Sequence, residues 1–160
     1  MKKNLIFFAV CSSILFLSSC QPTCNIEEET EKVELVLERY IIANETKDID
    51  LVHQVWAPDK DIVVFGTESN EKLIGWEAIK RVVERQFDNF EDVYISASDQ
   101  VIKVNCHGNA AWFSEILDYN YTFNEKAYAF EGIRFTGVME KQGEDWLIVQ
   151  SHLSVPFVPR

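Results

Sequence analysis

The segment from Gly132 to Pro156, GIRFTGVMEKQGEDWLIVQSHLSVP, places two basic side chains inside what its composition predicts to be a β-hairpin. They are Arg134 and His152. An arginine can hold a carboxylate by two parallel hydrogen bonds, and its charge persists at any working pH. A histidine can donate a hydrogen bond or exchange a proton near neutrality. The pair therefore predicts a pocket for a small polar or anionic molecule.

The pairing of the two strands decides whether these side chains meet. If Val138 pairs with Ile148, the guanidinium and the imidazole lie directly opposite each other on one face of the sheet. The alternative is structural: Arg134 would pair with an acid such as Glu115 or Glu131, and backbone groups would satisfy the imidazole. The sequence leaves both interpretations open.

The charge balance excludes one class of partner. The chain has 26 acidic and 15 basic residues, a formal net charge of −11 at pH 7, and it shows no stripe of lysine and arginine. Phosphate backbones are bound by clustered basic side chains, so we expect no nucleic-acid partner. The three histidines lie far apart and no CxxC pair occurs, so the sequence predicts no metal site.

The N-terminus predicts export and a lipid anchor. A short positive start precedes an apolar run that is too short to span a membrane, which is typical of a secretory signal. The ending Leu17-Ser18-Ser19-Cys20 resembles the lipobox of bacterial lipoproteins, which implies cleavage before Cys20 and lipidation of its sulfur. The alternative is an ordinary signal peptide with an incidental cysteine. We expect three segments: a signal peptide at residues 1–19, a tether at 20–29 and one domain at 30–160.

The lipoprotein interpretation places the protein in the bacterial cell envelope. The membrane would be a partner through the anchor at Cys20, at the outer membrane or cell surface rather than the inner membrane. Cys24 and Cys106 would remain in the mature chain. An oxidising compartment would allow them to pair, but no feature of the sequence places them together.

Helical spacing dominates the first part of the domain and strand spacing the second. Apolar residues recur at helical intervals from Thr30, after a cap at Asp48 or Asp50, and over residues 76–88. A short strand is expected at residues 61–66, and four long strands follow the last helix, at 93–104, 110–123, 128–139 and 146–155. This order predicts an α+β fold, with helices packed on one face of a curved antiparallel sheet.

The order of these elements and several local strings resemble the nuclear transport factor 2-like superfamily, and within it the SnoaL-like domains. The matching strings are Asp48-Ile49-Asp50, Gly75-Trp76-Glu77-Ala78-Ile79, Ala111-Trp112, Gly132-Ile133-Arg134-Phe135-Thr136, Trp146-Leu147-Ile148-Val149 and His152-Leu153-Ser154-Val155-Pro156. The resemblance as a whole covers residues 31–157. The resemblance implies a cone-shaped fold with an internal cavity, homodimers packed through the sheet, and no obligatory metal or organic cofactor.

The resemblance also suggests which side chains bind a ligand. Similar positions in the association domain of calcium/calmodulin-dependent kinase line a pocket that contains arginine, which implies that Arg134 points inward. Trp56, Phe65 and Trp112 fall where the family has cavity walls, although aromatic side chains of a small domain also pack in its core. We therefore expect a ligand-binding site made of Arg134, His152, Trp112, Trp56 and Phe65.

Two functions from different classes remain. The first, which we favour, is a membrane-tethered module that binds a small polar or anionic molecule without catalysis. The second is an envelope enzyme of isomerase, cyclase or dehydratase type, with His152 as acid or base and Arg134 holding the substrate. Enzymes of the superfamily generally use a buried carboxylate or an Asp/His pair as base. Acids such as Glu115 and Asp118, on a strand of an acidic protein, more often form a solvated face.

Overall fold

The computed structural model describes residues 24–157. The expected signal peptide, the lipidated Cys20 and the first part of the tether lie outside the described residues. The helices are α1 (Ile26–Thr46), α2 (Ile49–His53) and α3 (Trp76–Asn89). The strands are β1 (Val63–Phe65), β2 (Lys72–Ile74), β3 (Glu91–Val104), β4 (Ala110–Phe123), β5 (Lys126–Gln142) and β6 (Asp145–Ser154). Within this part of the chain, no helix is long and apolar enough to cross a membrane.

The strands form one sheet in the order β2-β1-β6-β5-β4-β3. Strands β3 to β6 make an antiparallel meander, and β1 joins it parallel to β6. The helices cover one side of the sheet, which we call the inner face; the other side is the outer face. The core lies between the inner face and the helices, and its fully buried side chains include Leu37, Leu117, Phe135, Met139 and Ile148. The predicted α+β fold is confirmed.

The first helix starts earlier than the sequence pattern predicts, at Ile26 rather than Thr30. Its first turn contains Glu29, which is only 7% exposed. The Glu29 carboxylate accepts hydrogen bonds from Lys141 Nζ at 2.9 Å and from Trp146 Nε1 at 2.7 Å. The last residues of the expected tether therefore belong to the folded domain. The pattern missed them because acids on the first turn look like a solvated linker when their buried partners lie far along the chain.

The predicted cap of the second helix is confirmed. Asp48 Oδ1 accepts hydrogen bonds from the backbone N–H groups of Asp50, at 2.9 Å, and Leu51, at 3.1 Å. These bonds satisfy two of the donors that a helix start leaves without partners. The cap fixes α2 under the sheet, where the buried Val52 contributes to the core.

A bulge in β5 reverses its side-chain alternation. Gly132 has a φ of +71°, and its N–H donates to Asp118 Oδ1 at 2.9 Å. Such a bulge moves the following side chains to the opposite face. Phe130 and Arg134, which strict alternation places on one face, therefore lie on opposite faces. Phe130 faces inward, and Arg134 is exposed on the outer face.

A second bulge lies in β6, where Val149 is an extra residue between Ile148 and Gln150, which pair with consecutive residues of β5. Val138 pairs with Gln150 rather than with Ile148, and Arg134 pairs with Ser154. The prediction that Arg134 lies directly opposite His152 is therefore wrong. Because of this bulge, Ile148 and His152 lie on opposite faces of the sheet: Ile148 is fully buried and His152 is exposed.

Candidate functional site: a cavity beneath the sheet

A cavity of about 450 Å³ lies between the inner face of the sheet and the helices. This volume suits a small organic molecule. Most of its wall is apolar and comes from the helices and from the inner faces of β1, β2 and β4 to β6. The apolar wall includes Val52, Val55, Val64, Leu73, Ile79, Val83, Ile133 and Leu153.

Several polar side chains interrupt this apolar wall; besides Thr67, Gln86 and Tyr121, they include Tyr40, Asn44 and Tyr119. Tyr40 and Asn44 lie one turn apart on α1, a spacing that puts them on the same face of the helix, and Tyr119 reaches the cavity from β4. The Asn44 amide is 6% exposed, and its Nδ2 donates to the backbone oxygen of Tyr40 at 2.7 Å. Among residues 24–157, neither phenol oxygen has a hydrogen-bond partner, and no donor reaches Asn44 Oδ1. These three oxygens are available to a ligand.

Aromatic contacts hold the Tyr40 ring in place. It packs edge-on against Trp56, with ring centroids 6.5 Å apart, and at a tilt against Phe135, with centroids 4.8 Å apart. Trp56 is buried and itself lines the cavity. Since buried aromatic pairs restrict each other's rotamers, the phenol direction is fixed before a ligand enters.

Burial raises the pKa of the Tyr40 phenol, and neighbouring ionisable groups, among them Glu71, add to the effect. Burial also raises the pKa of Tyr119, and the nearby Tyr121 and Glu45 add to it. Both phenols are therefore neutral at physiological pH. A neutral phenol donates one hydrogen bond and accepts others, so these side chains suit a ligand that carries oxygen or nitrogen.

The rim of the cavity carries negative charge. Glu68 and Glu71, from the turn between β1 and β2, line it, and the Glu71 carboxylate lies over Gly66, where a Cβ would collide with it. Within the described part of the chain, no lysine, arginine or histidine lines the cavity. This distribution disfavours the anionic ligand that the sequence suggested.

An aromatic wall extends the cavity at the end of the β4–β5 hairpin. Phe90, just after α3, stacks on Tyr121 with centroids 4.0 Å apart and an interplanar angle of 18°. Tyr121 is also nearly parallel to Phe130, at 6.1 Å and 9°. All three rings line the cavity, so a flat or ring-shaped ligand would find extensive contact area there.

Four of the five side chains expected to bind a ligand lie elsewhere. Arg134, His152, Phe65 and Trp112 all lie on the outer face, where Trp112 is 54% exposed and Phe65 42%. Phe65 pairs with His152 across neighbouring strands, with ring centroids 6.0 Å apart. Only Trp56 of this set lines the cavity. The prediction that the other four line it is wrong. The two bulges turn Arg134 and His152 outward, whereas Phe65 on β1 and Trp112 on β4 occupy outward-facing positions of regular strand. A ligand role on the outer face stays a prediction.

Glu115 is a buried carboxyl group outside the cavity wall. It lies on the inner face at 2% exposure, where Gln100 Nε2 donates to its Oε2 at 2.8 Å and its Oε1 has no described partner. Burial raises its pKa, and the bond from Gln100 partly offsets this rise. Two expectations are therefore wrong: Glu115 is not on a solvated face, and it does not pair with the outward-facing Arg134.

Neither cysteine of the described chain is in a disulfide. Cys24 and Cys106 are both free thiols, and a Cβ at Gly108 would collide with the Cys24 sulfur. Cys24 thus packs against the same turn that carries Cys106. Among residues 24–157, no group of three or more His, Cys, Asp or Glu side chains is arranged to hold a metal ion.

Sequence comparison agrees with this architecture. Residues 33–158 match the family of SnoaL-like domains. This chain belongs to the SnoaL-like family. No curated protein is significantly similar to it in sequence.

Solved structures show the same fold for SnoaL-like and nuclear transport factor 2-like proteins. One such protein, from Salmonella enterica serovar Typhimurium, is 18% identical, covers 82% of this chain and 94% of its own, and has a TM-score of 0.74. A candidate association domain of calcium/calmodulin-dependent protein kinase II from Xanthomonas campestris is 23% identical over 78% of this chain and 85% of its own, with a TM-score of 0.66. A candidate scytalone dehydratase from Novosphingobium aromaticivorans is 13% identical over 82% and 86%, with a TM-score of 0.73. At these identities the similarity shows the fold alone.

The polar residues of this SnoaL-like cavity could have been predicted in part from their positions in the sequence. Tyr40 belongs to the apolar stripe of α1, and Asn44 continues that stripe four residues later. An amide on a buried stripe needs a partner, so Asn44 could have marked a polar pocket. Tyr119 lies on the same face of β4 as Phe113 and Leu117, so alternation along that strand could have placed it inward.

Proposed function

We propose that this SnoaL-like domain binds a small, largely apolar molecule in its cavity and does so without catalysis. The observation that carries the proposal is the set of three partnerless oxygens, on Tyr40, Asn44 and Tyr119, in a mostly apolar wall. Apolar contact supplies affinity in such pockets, and a few fixed polar groups orient the ligand. Because burial keeps the phenols neutral, they act as hydrogen-bond donors and acceptors rather than as general bases.

No observation favours the alternative enzyme that uses His152 and Arg134. Both side chains are exposed on the outer face, so they cannot act on a molecule in the cavity. The candidate dehydratase shares the fold at 13% identity, and a shared fold at this identity does not imply a shared activity.

The proposed domain is anchored through a lipid on Cys20, as the lipobox-like sequence indicates. Residues 21–25 alone would separate that cysteine from α1, which begins at Ile26. At most about 3.5 Å per residue, this linker extends no more than about 20 Å. The cavity would therefore stay close to the membrane, where apolar molecules concentrate.

The same proposal includes a homodimer that packs through the outer face. No helix of residues 24–157 covers this face, and Trp112 and Phe65 expose large aromatic surfaces on it. A second copy of the chain would bury these rings, and a two-fold axis would pair the same patch with itself. Arg134 and His152 would then lie in or beside the dimer contact.

Native mass spectrometry of the mature chain, purified gently from its host, tests the binding proposal. Wild type is expected to retain a small molecule. Leu153→Trp, which fills the cavity, is expected to lose it, and Tyr119→Phe, which removes one phenol oxygen, to retain less. Arg134→Ala is the matched control and should retain it fully. Loss in Arg134→Ala with retention in Leu153→Trp would place the ligand on the outer face and overturn the proposal.

A further inference from the structure

We propose that the cavity takes an organic cation, an ammonium group on an apolar body, with Glu71 as the counter-charge. This inference rests on the proposed binding function and names the chemical class of its ligand. It is carried by the charges at the rim, the direction of the Glu71 carboxylate and the nature of the polar groups inside.

The first observation is an unbalanced negative charge. Glu68 and Glu71 line the cavity, and within residues 24–157 neither carboxylate has a lysine, arginine or histidine partner within 4.0 Å. The carboxylates that do form ion pairs lie on α1, on α3 and in the β5–β6 turn. Glu71 is half-buried, so water screens its charge less than that of a fully exposed acid.

Backbone hydrogen bonds hold the turn that carries Glu71 at the rim of the cavity. The Gly66 N–H donates to the Glu71 carbonyl at 3.0 Å, and the Glu71 N–H donates to the Glu68 carbonyl at 3.1 Å. Glycine at position 66 leaves room for the carboxylate, which a Cβ would displace. Gly66, Glu71 and Tyr40 all line the cavity, so the carboxylate that lies over Gly66 and the Tyr40 ring border the same space.

The second observation is that the polar groups inside are neutral and that several of them are acceptors without a described donor. Asn44 is 6% exposed and lines the cavity, with no described donor to its Oδ1. The oxygens of Tyr40 and Tyr119 also accept, whereas no arginine, lysine or histidine of the described residues supplies a charged donor. An ammonium group brings only donors, and it matches this set.

The third observation is the aromatic lining of the cavity, which suits a cationic ligand. Tyr40, Trp56 and Tyr119 line the cavity, and the faces of such rings attract cations within about 6 Å of their centroids. An aromatic lining with a carboxylate at its rim can therefore hold a charged nitrogen and an apolar body together. A carboxylate ligand would meet repulsion from Glu71 instead.

Three probes of similar size and shape test the inference by isothermal titration calorimetry on the mature chain with Cys20 replaced by serine. They are 2-phenylethylammonium, 2-phenylethanol and 3-phenylpropionate. We expect the ammonium to bind at least about fivefold more tightly than the alcohol, equivalent to about 1 kcal/mol, and the carboxylate to bind most weakly. The preference should shrink at high salt, because screening weakens the charge contact.

Glu71→Gln separates the two proposals. The variant should bind the alcohol as wild type does and lose the ammonium preference, whereas Glu38→Gln, which removes an exposed charge on α1, should keep it. Equal binding of ammonium and alcohol, or a preference that survives in Glu71→Gln, would overturn the cation inference and leave the cavity proposal standing. Absence of binding for all three probes would count against both.

Discussion

The Glu29 carboxylate accepts a hydrogen bond from the Trp146 indole at 2.7 Å, which ties the first turn of α1 to β6. Its other oxygen accepts from Lys141 Nζ at 2.9 Å and Lys32 Nζ at 3.0 Å. Burial by itself would raise the pKa of Glu29, but the three donors together outweigh it and hold the pKa at about 2. This contact joins the proposed tether to the sheet.

Glu29→Gln should destabilise the domain by about 1.5–3 kcal/mol at pH 7, because it removes the charge from a buried network of hydrogen bonds. Since the folded pKa lies below the ordinary value of 4.5, this contribution is complete above about pH 4.5 and is lost as the pH falls toward about 2. Urea unfolding at several pH values measures the gap between variant and wild type. Glu144→Gln is the control, since Glu144 is 93% exposed and lies 4.0 Å from the same Lys141. A gap that stays constant down to pH 2 would contradict the account.

Glu115→Gln should stabilise the domain by about 1–3 kcal/mol at pH 8, because the ionised carboxylate is buried with one oxygen unpartnered. The folded pKa is raised, so the cost is present at high pH and disappears as the pH falls below the ordinary value of 4.5. The advantage of the variant should therefore shrink between pH 8 and pH 4. Thermal unfolding at these pH values measures it. A variant less stable than wild type at pH 8 would mean that the charged form has a compensating partner.

Periodicity predicted the elements of this fold because it reports which side of a helix or strand is apolar. The stripe on α1 and the series of four strands required nothing beyond local spacing. Local spacing does not predict the bulges at Gly132 and before Gln150. Each adds one residue to its strand, and where that residue falls depends on the pairing with the neighbouring strand. Gly132 could have signalled a bulge, as glycine inside a strand often does. No comparable residue marks the second one.

The same two bulges account for the error in the candidate site. Strict alternation puts Arg134 on the face of Phe130, and His152 on that of Ile148, so the basic pair looks buried. In the structure Phe130 and Ile148 face inward, whereas Arg134 and His152 face outward. One extra residue in each strand therefore places the basic pair on the surface of the sheet and not in the predicted pocket.

Trp112→Glu tests the proposed homodimer. Placing a charge at the centre of an aromatic contact should convert a dimer into a monomer in sedimentation velocity, at concentrations where wild type is dimeric. Leu35→Glu, at an exposed position on α1 on the other side of the sheet, is the comparison and should leave the dimer intact. A monomeric wild type, or a dimeric Trp112→Glu, would mean that copies do not meet through this face.

Cys20→Ala tests the proposed anchor. Expressed with its own leader, wild type should enter the detergent-rich phase on Triton X-114 partitioning and incorporate a labelled fatty acid, because its acyl chains bury many methylene groups. The alanine variant should do neither. Label on Cys20→Ala, or its absence from wild type, would show that this sequence is not a lipidation signal in the cell.

Methyl-resolved NMR with 2-phenylethanol as the probe tests the central claim most directly, since it reports where a ligand binds. Titration should shift the methyl signals of Val83, Ile133 and Leu153, which line the cavity, and leave those of Ile116 and Val138 on the outer face unchanged. Shifts confined to Ile116 and Val138, or no shift at any of the five, would contradict the claim that the cavity is the binding site.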